Sequence, residues 1–127
     1  MAYESREEID SKYKWDLSSM FPSDEAFEAG LEELKAYCTK LLAFKGKIST
    51  SAQALLEYLQ LEDQMNLLLY KIINYAERKS DEDTRVAKYQ AYVANATSAY
   101  TQVGEATSWF AAELLAIPAE SVEKFYA

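Results

Sequence analysis

The sequence predicts an all-α protein, an antiparallel helical bundle built on a long helical hairpin with an N-terminal arm packed against it. Three observations predict this class. Three Gly and two Pro in 127 residues leave little material for the tight turns of a sandwich or barrel. Apolar residues recur at steps of three and four through long uninterrupted runs. Residues 61–76 are apolar round most of a helix: Leu61, Met65, Leu68, Ile72 and Tyr75 form one stripe, while Leu67, Leu69, Tyr70 and Ile73 fall outside it. Such a helix is central and needs cover from more than one side. Any apolar face left uncovered becomes a site for a partner outside this chain. Residues 1–127 are read as a single helical domain, a size at which folding buries roughly 65–70% of the unfolded chain's surface.

Residues 3–22 lack a sustained period, yet they carry Tyr13, Trp15, Leu17, Met20 and Phe21, too much apolar surface for a free tail. This arm is expected to lie on the helices, anchored by Trp15 and Phe21. Ser23 then caps a helix over residues 24–44, with Asp24 and Glu25 in the first turn, where the helix dipole favours negative charge. Phe27, Leu31, Leu34, Cys38 and Leu41 make its apolar face, and Gly46 lies just beyond its end.

Thr50 with Gln53 fits a capping box for the next helix, and Ser51 serves equally well as the cap. Leu55, Leu56 and Leu59 are out of phase with the stripe after Leu61, so the helix over 52–79 is expected to break around residue 60. Ser80, Asp81, Glu82 and Asp83 form a short polar connection, which makes its flanking helices an antiparallel hairpin. The second arm of the hairpin, residues 84–116, carries Val86, Tyr89, Val93, Ala96, Tyr100, Val103, Thr107, Phe110 and Leu114 at steps of three and four, about 50 Å of helix with a weak point at Gly104. Pro118 opens a last short helix over 119–126.

Charge and composition exclude several functions. A net charge of −8 repels phosphate backbones and anionic lipid, so neither nucleic acid nor a membrane surface is an expected partner. No run approaches the roughly 18 apolar residues of a membrane span, and the charged N-terminus is unlike a signal peptide. One cysteine cannot form an intrachain disulfide, and the cytoplasm is the expected compartment.

The chain has no histidine, which removes Ser-His and Cys-His couples, helical zinc motifs and the Glu-x-x-His pairs of di-iron bundles. Cys38 sits in an apolar stripe, where a thiol packs as a small hydrophobe, and is expected to be buried and reduced. Asp81, Glu82 and Asp83 resemble the start of a calcium loop, but Arg85 and Val86 stand where an oxygen ligand and a Gly are needed. No catalytic, cofactor or metal residue is assigned. Tyr75, Tyr89 and Tyr100 lie on core stripes. Tyr92 and Trp109 fall on a second face of the long helix, where core and docking surface are equal readings, and Phe125 and Tyr126 extend that candidate docking surface. A homodimer through such an exposed apolar face is one outcome.

Four strings stand in order along the chain: YKWDL at 13–17, FPSDEAF at 21–27, FKGKI at 44–48 and YAERKSDEDT at 75–84. In order and spacing they resemble the beginning of oligoendopeptidase F, of the thimet-oligopeptidase-like zinc metallopeptidases. The resemblance implies a much longer, largely helical enzyme that hydrolyses short peptides. In it an N-terminal helical part covers a deep cavity, and a catalytic domain holds zinc through His-Glu-x-x-His and a further glutamate. None of those catalytic residues has a counterpart among these 127, so the chain reads as the N-terminal segment alone, whose partner is the catalytic domain. The alternative is an independent helical protein-interaction module.

Overall fold

The computed structural model describes residues 4–127, and the start of the arm at Tyr3 lies outside them. Five α-helices follow the arm: α1 (Asp24–Leu42), α2 (Ala52–Glu82), α3 (Ala87–Thr107), α4 (Phe110–Leu115) and α5 (Ala119–Phe125). No strand occurs among the described residues. The arm holds two short 3-10 turns, Arg6–Glu8 and Ser11–Tyr13.

Helix α1 starts where its cap predicts, the Ser23 hydroxyl accepting a hydrogen bond from the Ala26 amide at 3.1 Å. Ser51, rather than Thr50, caps α2, its Oγ accepting from the Ala54 amide. Between them the chain turns through Gly46, whose φ of +80° is the left-handed conformation that side chains disfavour.

The three long helices pack pairwise into an up-down-up bundle, each touching the other two. Phe27, Leu34 and Leu41 of α1, Tyr58, Met65, Leu69, Ile72 and Tyr75 of α2, and Tyr92, Ala96, Ala99 and Val103 of α3 form one core. At one end Phe27 lies between rings, 4.3 Å from Tyr92 and 5.3 Å from Tyr75 by centroid. At the other, Tyr58 stacks on Phe110 at 4.4 Å and meets Trp109 edge-on at 5.2 Å.

Several expectations change. The break around residue 60 does not occur; α2 is continuous because buried Tyr58 supplies the missing member of the stripe, three residues before Leu61, while Leu56 and Leu59 point outward. The same helix runs through Ser80 to Glu82, since the Ser80 hydroxyl is buried and accepts from Gln90 Nε2 at 3.0 Å, so the connection is residues 83–86. The predicted helix over 84–116 is two helices, and the bend is at Ser108 and Trp109, not Gly104. There the Thr107, Ser108 and Trp109 side chains donate to the carbonyls of Val103, Glu105 and Ala106, competing with the helix's own amides.

Tyr100 is 62% exposed rather than core, because α3 approaches through its small residues and centres its contact on Tyr92, Ala96, Ala99 and Val103, one step out of phase with Tyr100. In the arm Leu17 and Phe21 are the buried anchors, and Trp15 is 78% exposed. Phe21 succeeds where Trp15 fails because Gly30 leaves room for its ring. Cys38 is half-buried rather than buried, and burial pushes its thiol pKa up.

A Cβ at Gly30 would stand 2.9 Å from Phe21 Cε1, whereas one at Gly104 would meet nothing within 4 Å. Gly104→Ala is expected to stabilise the protein by about 0.5–1 kcal/mol through helix propensity. Gly30→Ala is expected to destabilise it by roughly 1 kcal/mol net, overpacking against Phe21 outweighing the same gain. Urea denaturation of the two variants checks the opposite signs.

Candidate functional site

The described residues offer three candidate features: a polar knot at one end of the bundle, clefts under the arm, and an uncovered face on the α2–α3 hairpin. The knot begins with Asp24, which the Ser23 cap places in the first turn of α1, facing the end of α2 and the start of α3. Its Oδ1 accepts from the Tyr75 hydroxyl at 2.7 Å, and its Oδ2 accepts from Tyr89 at 3.0 Å and from Lys88 Nζ at 2.9 Å. One turn on, Glu28 Oε1 accepts from the Tyr92 hydroxyl at 2.6 Å.

These contacts fix the protonation states. Burial pushes the Asp24 pKa up, but the donors Tyr75, Lys88 and Tyr89 outweigh it and the pKa falls below the ordinary value. Tyr75 and Tyr92 are shifted well upward by burial and by their carboxylate acceptors, and Lys88 is shifted upward by Asp24. A carboxylate this weakly basic and phenols this weakly acidic are mismatched to proton transfer near neutrality. The knot is a clamp between three helices, not an acid–base pair.

Around the arm, a cleft of about 410 Å³ is lined by Arg6, Tyr13, Trp15, Leu17 and Arg78 with Asp81 and Glu82. Its guanidinium groups are already paired, Arg6 with Glu82 at 2.9 Å and Arg78 with Asp81 at 3.3 Å. Among the described residues no three His, Cys, Asp or Glu side chains are grouped to hold a metal ion, so the donor set does not fit zinc.

The candidate docking residues do not come together. Tyr92 is buried against Phe27 at the knot, and Trp109 is buried against Tyr58 at the opposite end of the bundle. Both belong to the core because small neighbours, Ala96 and Ala99, bring α3 close to α1 and α2. Phe125 is half-buried and Tyr126 is 87% exposed, both on or after α5. Exposed apolar side chains are scattered over the arm (Tyr13, Trp15), α1 (Leu42), α4 (Leu115) and the chain end (Tyr126), and several share the outer face of the hairpin. Leu67 is 66% and Tyr70 62% exposed on α2, with Leu56 and Leu59 on the same file and Tyr100 across the groove. The central stripe does not separate exposed from buried: Leu67 and Tyr70 outside it are exposed, but Leu69, also outside it, is buried, while Leu61 and Leu68 within it are half-buried.

Comparison with known proteins gives this geometry its context. The chain is 36% identical over 122 residues to the Group B oligopeptidase PepB of Streptococcus agalactiae, matching 96% of this chain and 20% of that protein. It is 33% identical over 120 residues to the oligopeptidase PepF of Bacillus subtilis, 94% of this chain and 18% of that one. The plasmid oligoendopeptidase F of Lactococcus lactis subsp. cremoris gives 33% over 122 residues, 95% of this chain and 20% of that protein.

By sequence the chain matches a segment of oligoendopeptidase F.

It spans about a fifth of the length of these curated relatives, coverage consistent with an N-terminal segment. No protein-family profile and no solved structure matches it. The strings that carry the resemblance to oligoendopeptidase F are places where the bundle is tied together. FPSDEAF holds Phe21, Ser23, Asp24 and Phe27, and YAERKSDEDT begins at Tyr75. FKGKI holds Gly46, whose amide donates to both Glu113 carboxylate oxygens at 2.9 Å, joining the first turn region to α4.

The pKa directions set a pH profile with both signs defined. Asp24 has a lowered folded pKa, so its stabilisation is present above the ordinary aspartate value near 3.8 and is lost as pH falls through the folded value. Tyr58, Tyr75 and Tyr92 have raised folded pKa values, so their contribution is present below about 10 and is lost as pH rises beyond it. Asp24→Asn is expected to cost roughly 2 kcal/mol at pH 7, where a charge-assisted acceptor is replaced, and to flatten the acid limb. Chemical denaturation from pH 2 to 11 measures both limbs. An acid limb as steep in the variant as in the parent would remove Asp24 as its source.

Proposed function

We propose that this chain is the N-terminal helical segment of an oligoendopeptidase F, a zinc metalloendopeptidase that hydrolyses short peptides in the cytoplasm. In this reading the segment forms a single helical domain that helps enclose the peptide-binding cavity and supplies no catalytic group. Its partner is the catalytic domain of the same polypeptide, which holds the zinc, polarises the peptide carbonyl and activates water.

The observation that carries the reading is the similarity over nearly all of this chain to oligopeptidases about five times as long. The chemistry supports it. Zinc hydrolysis needs a three-ligand site with an open position, and this chain contains no histidine. Its cluster of Asp24, Tyr75, Lys88 and Tyr89 is a hydrogen-bonded clamp, useful for holding a rigid wall and unsuited to proton transfer.

Two measurements test the reading. The purified 127-residue chain, given zinc and a quenched-fluorescent peptide, is expected to show no turnover. The gene read past Ala127 is expected to encode His-Glu-x-x-His, and the longer product is expected to cleave the peptide in a chelator-sensitive manner. Zinc-dependent cleavage by the 127 residues alone would overturn the assignment of catalysis elsewhere.

A further inference from the structure

We propose that the outer groove of the α2–α3 hairpin seats a helix from the remaining four-fifths of a full-length peptidase chain, a proposal that rests on the functional reading above. The groove, about 150 Å³ in volume, is lined by Ile73 and Glu77 of α2 and by Val93, Ala96, Thr97 and Tyr100 of α3. Tyr70, Leu67 and Leu59 extend the surface along α2 on one helix face, with exposed Asp63 between Leu59 and Leu67. Small residues at the floor and large ones at the rims suit the ridge of an incoming helix at 8–10 Å between axes.

Three arguments choose the occupant. The first is charge. From Tyr89 to Gly104 α3 carries no charged residue, while α2 adds Glu77 to the groove and Asp63 between Leu59 and Leu67, so the surface suits a mainly apolar helix with a basic flank and disfavours an acidic one. The second is area. The exposed apolar side chains amount to on the order of 500 Å², short of the roughly 800 Å² per partner of a stable dimer. The same patch suffices within one polypeptide, where tethering raises the effective concentration to about the millimolar range. That argues against a second copy of this chain. The third is length. The matched relatives are about five times as long, so most of such a chain lies beyond this segment and is available to cover it.

The test uses the isolated chain and a chimera in which these 127 residues replace the matching segment of the Bacillus subtilis oligopeptidase. Amide exchange over residues 67–73 and 93–100 is expected to be at least about tenfold slower in the chimera than in the isolated chain. The double variant Tyr70→Lys, Tyr100→Lys is expected to abolish that slowing while leaving the isolated chain's Tm unchanged, because both side chains are exposed there. Equal exchange in both proteins, or slowing that survives the double variant, overturns the proposal. So does an isolated chain that is a dimer protected at these segments, which would make the occupant a second copy. Peptide cleavage by the chimera is read separately. Cleavage without groove protection removes the groove alone, and groove protection without cleavage supports the groove and removes the functional reading.

Discussion

Asp24 stands in the first turn of α1 and takes donors from the last third of α2 and the first turn of α3, so the three chain segments meet at a single acceptor. A carboxylate withdrawn from water needs such partners, and without them its burial would be costly. Its position also sets the level of the aromatic layer beneath. Phe27, one turn along α1, can sit between Tyr75 and Tyr92 only if their hydroxyls are held where Asp24 and Glu28 hold them. The polar knot and the ring stack are therefore one device, with hydroxyls fixing the direction of rings whose faces supply the buried area.

The far end of the bundle is closed differently. There Tyr58, Phe44, Trp109 and Phe110 meet mainly ring to ring, and the polar tie is the Gly46 amide on Glu113. Bending the chain at Ser108 and Trp109 swings α4 over Tyr58, which a straight helix along α2 would not achieve. Between these two closed ends α3 is nearly all small or uncharged, so close approach, not side-chain bulk, sets its distance from α1 and α2. That choice has a consequence for the outside. A helix that packs through Ala96 and Ala99 leaves its larger residue, Tyr100, on the solvent side.

Much of this was legible in the sequence. The helix count through α3, the Ser23 cap, the hairpin and the central stripe of α2 follow from period and capping chemistry, which are local. The errors came where tertiary contact decides. Tyr58 has a polar end, so periodicity alone did not place it in the stripe, and its omission produced a break that does not exist. Tyr92, Tyr89 and Tyr100 are alike in sequence, yet the approach of α1 buries Tyr92, half-buries Tyr89 and exposes Tyr100. Trp15 has the larger ring, yet Phe21 has the space, because Gly30 faces it. Tyr92 and Trp109 are core for the same reason. Apolar residues outside the stripe of α2 were visible, but which face of α3 joins them depends on a rotation of that helix that no three-four pattern fixes.

A bundle with both ends locked has consequences for how the segment can serve an enzyme. Its core is complete within the chain, since the buried residues of α1, α2 and α3 contact one another and form one cluster. The exposed row of Leu59, Leu67, Tyr70 and Tyr100 is surplus to that core, and adding a helix over it need not rearrange anything beneath. Partners whose interfaces are already formed associate with little backbone movement. The clamp chemistry points the same way. Asp24 is held ionised and Tyr75, Tyr92 and Lys88 are held protonated across the neutral range, so the clamp that ties the three helices keeps its hydrogen bonds throughout it.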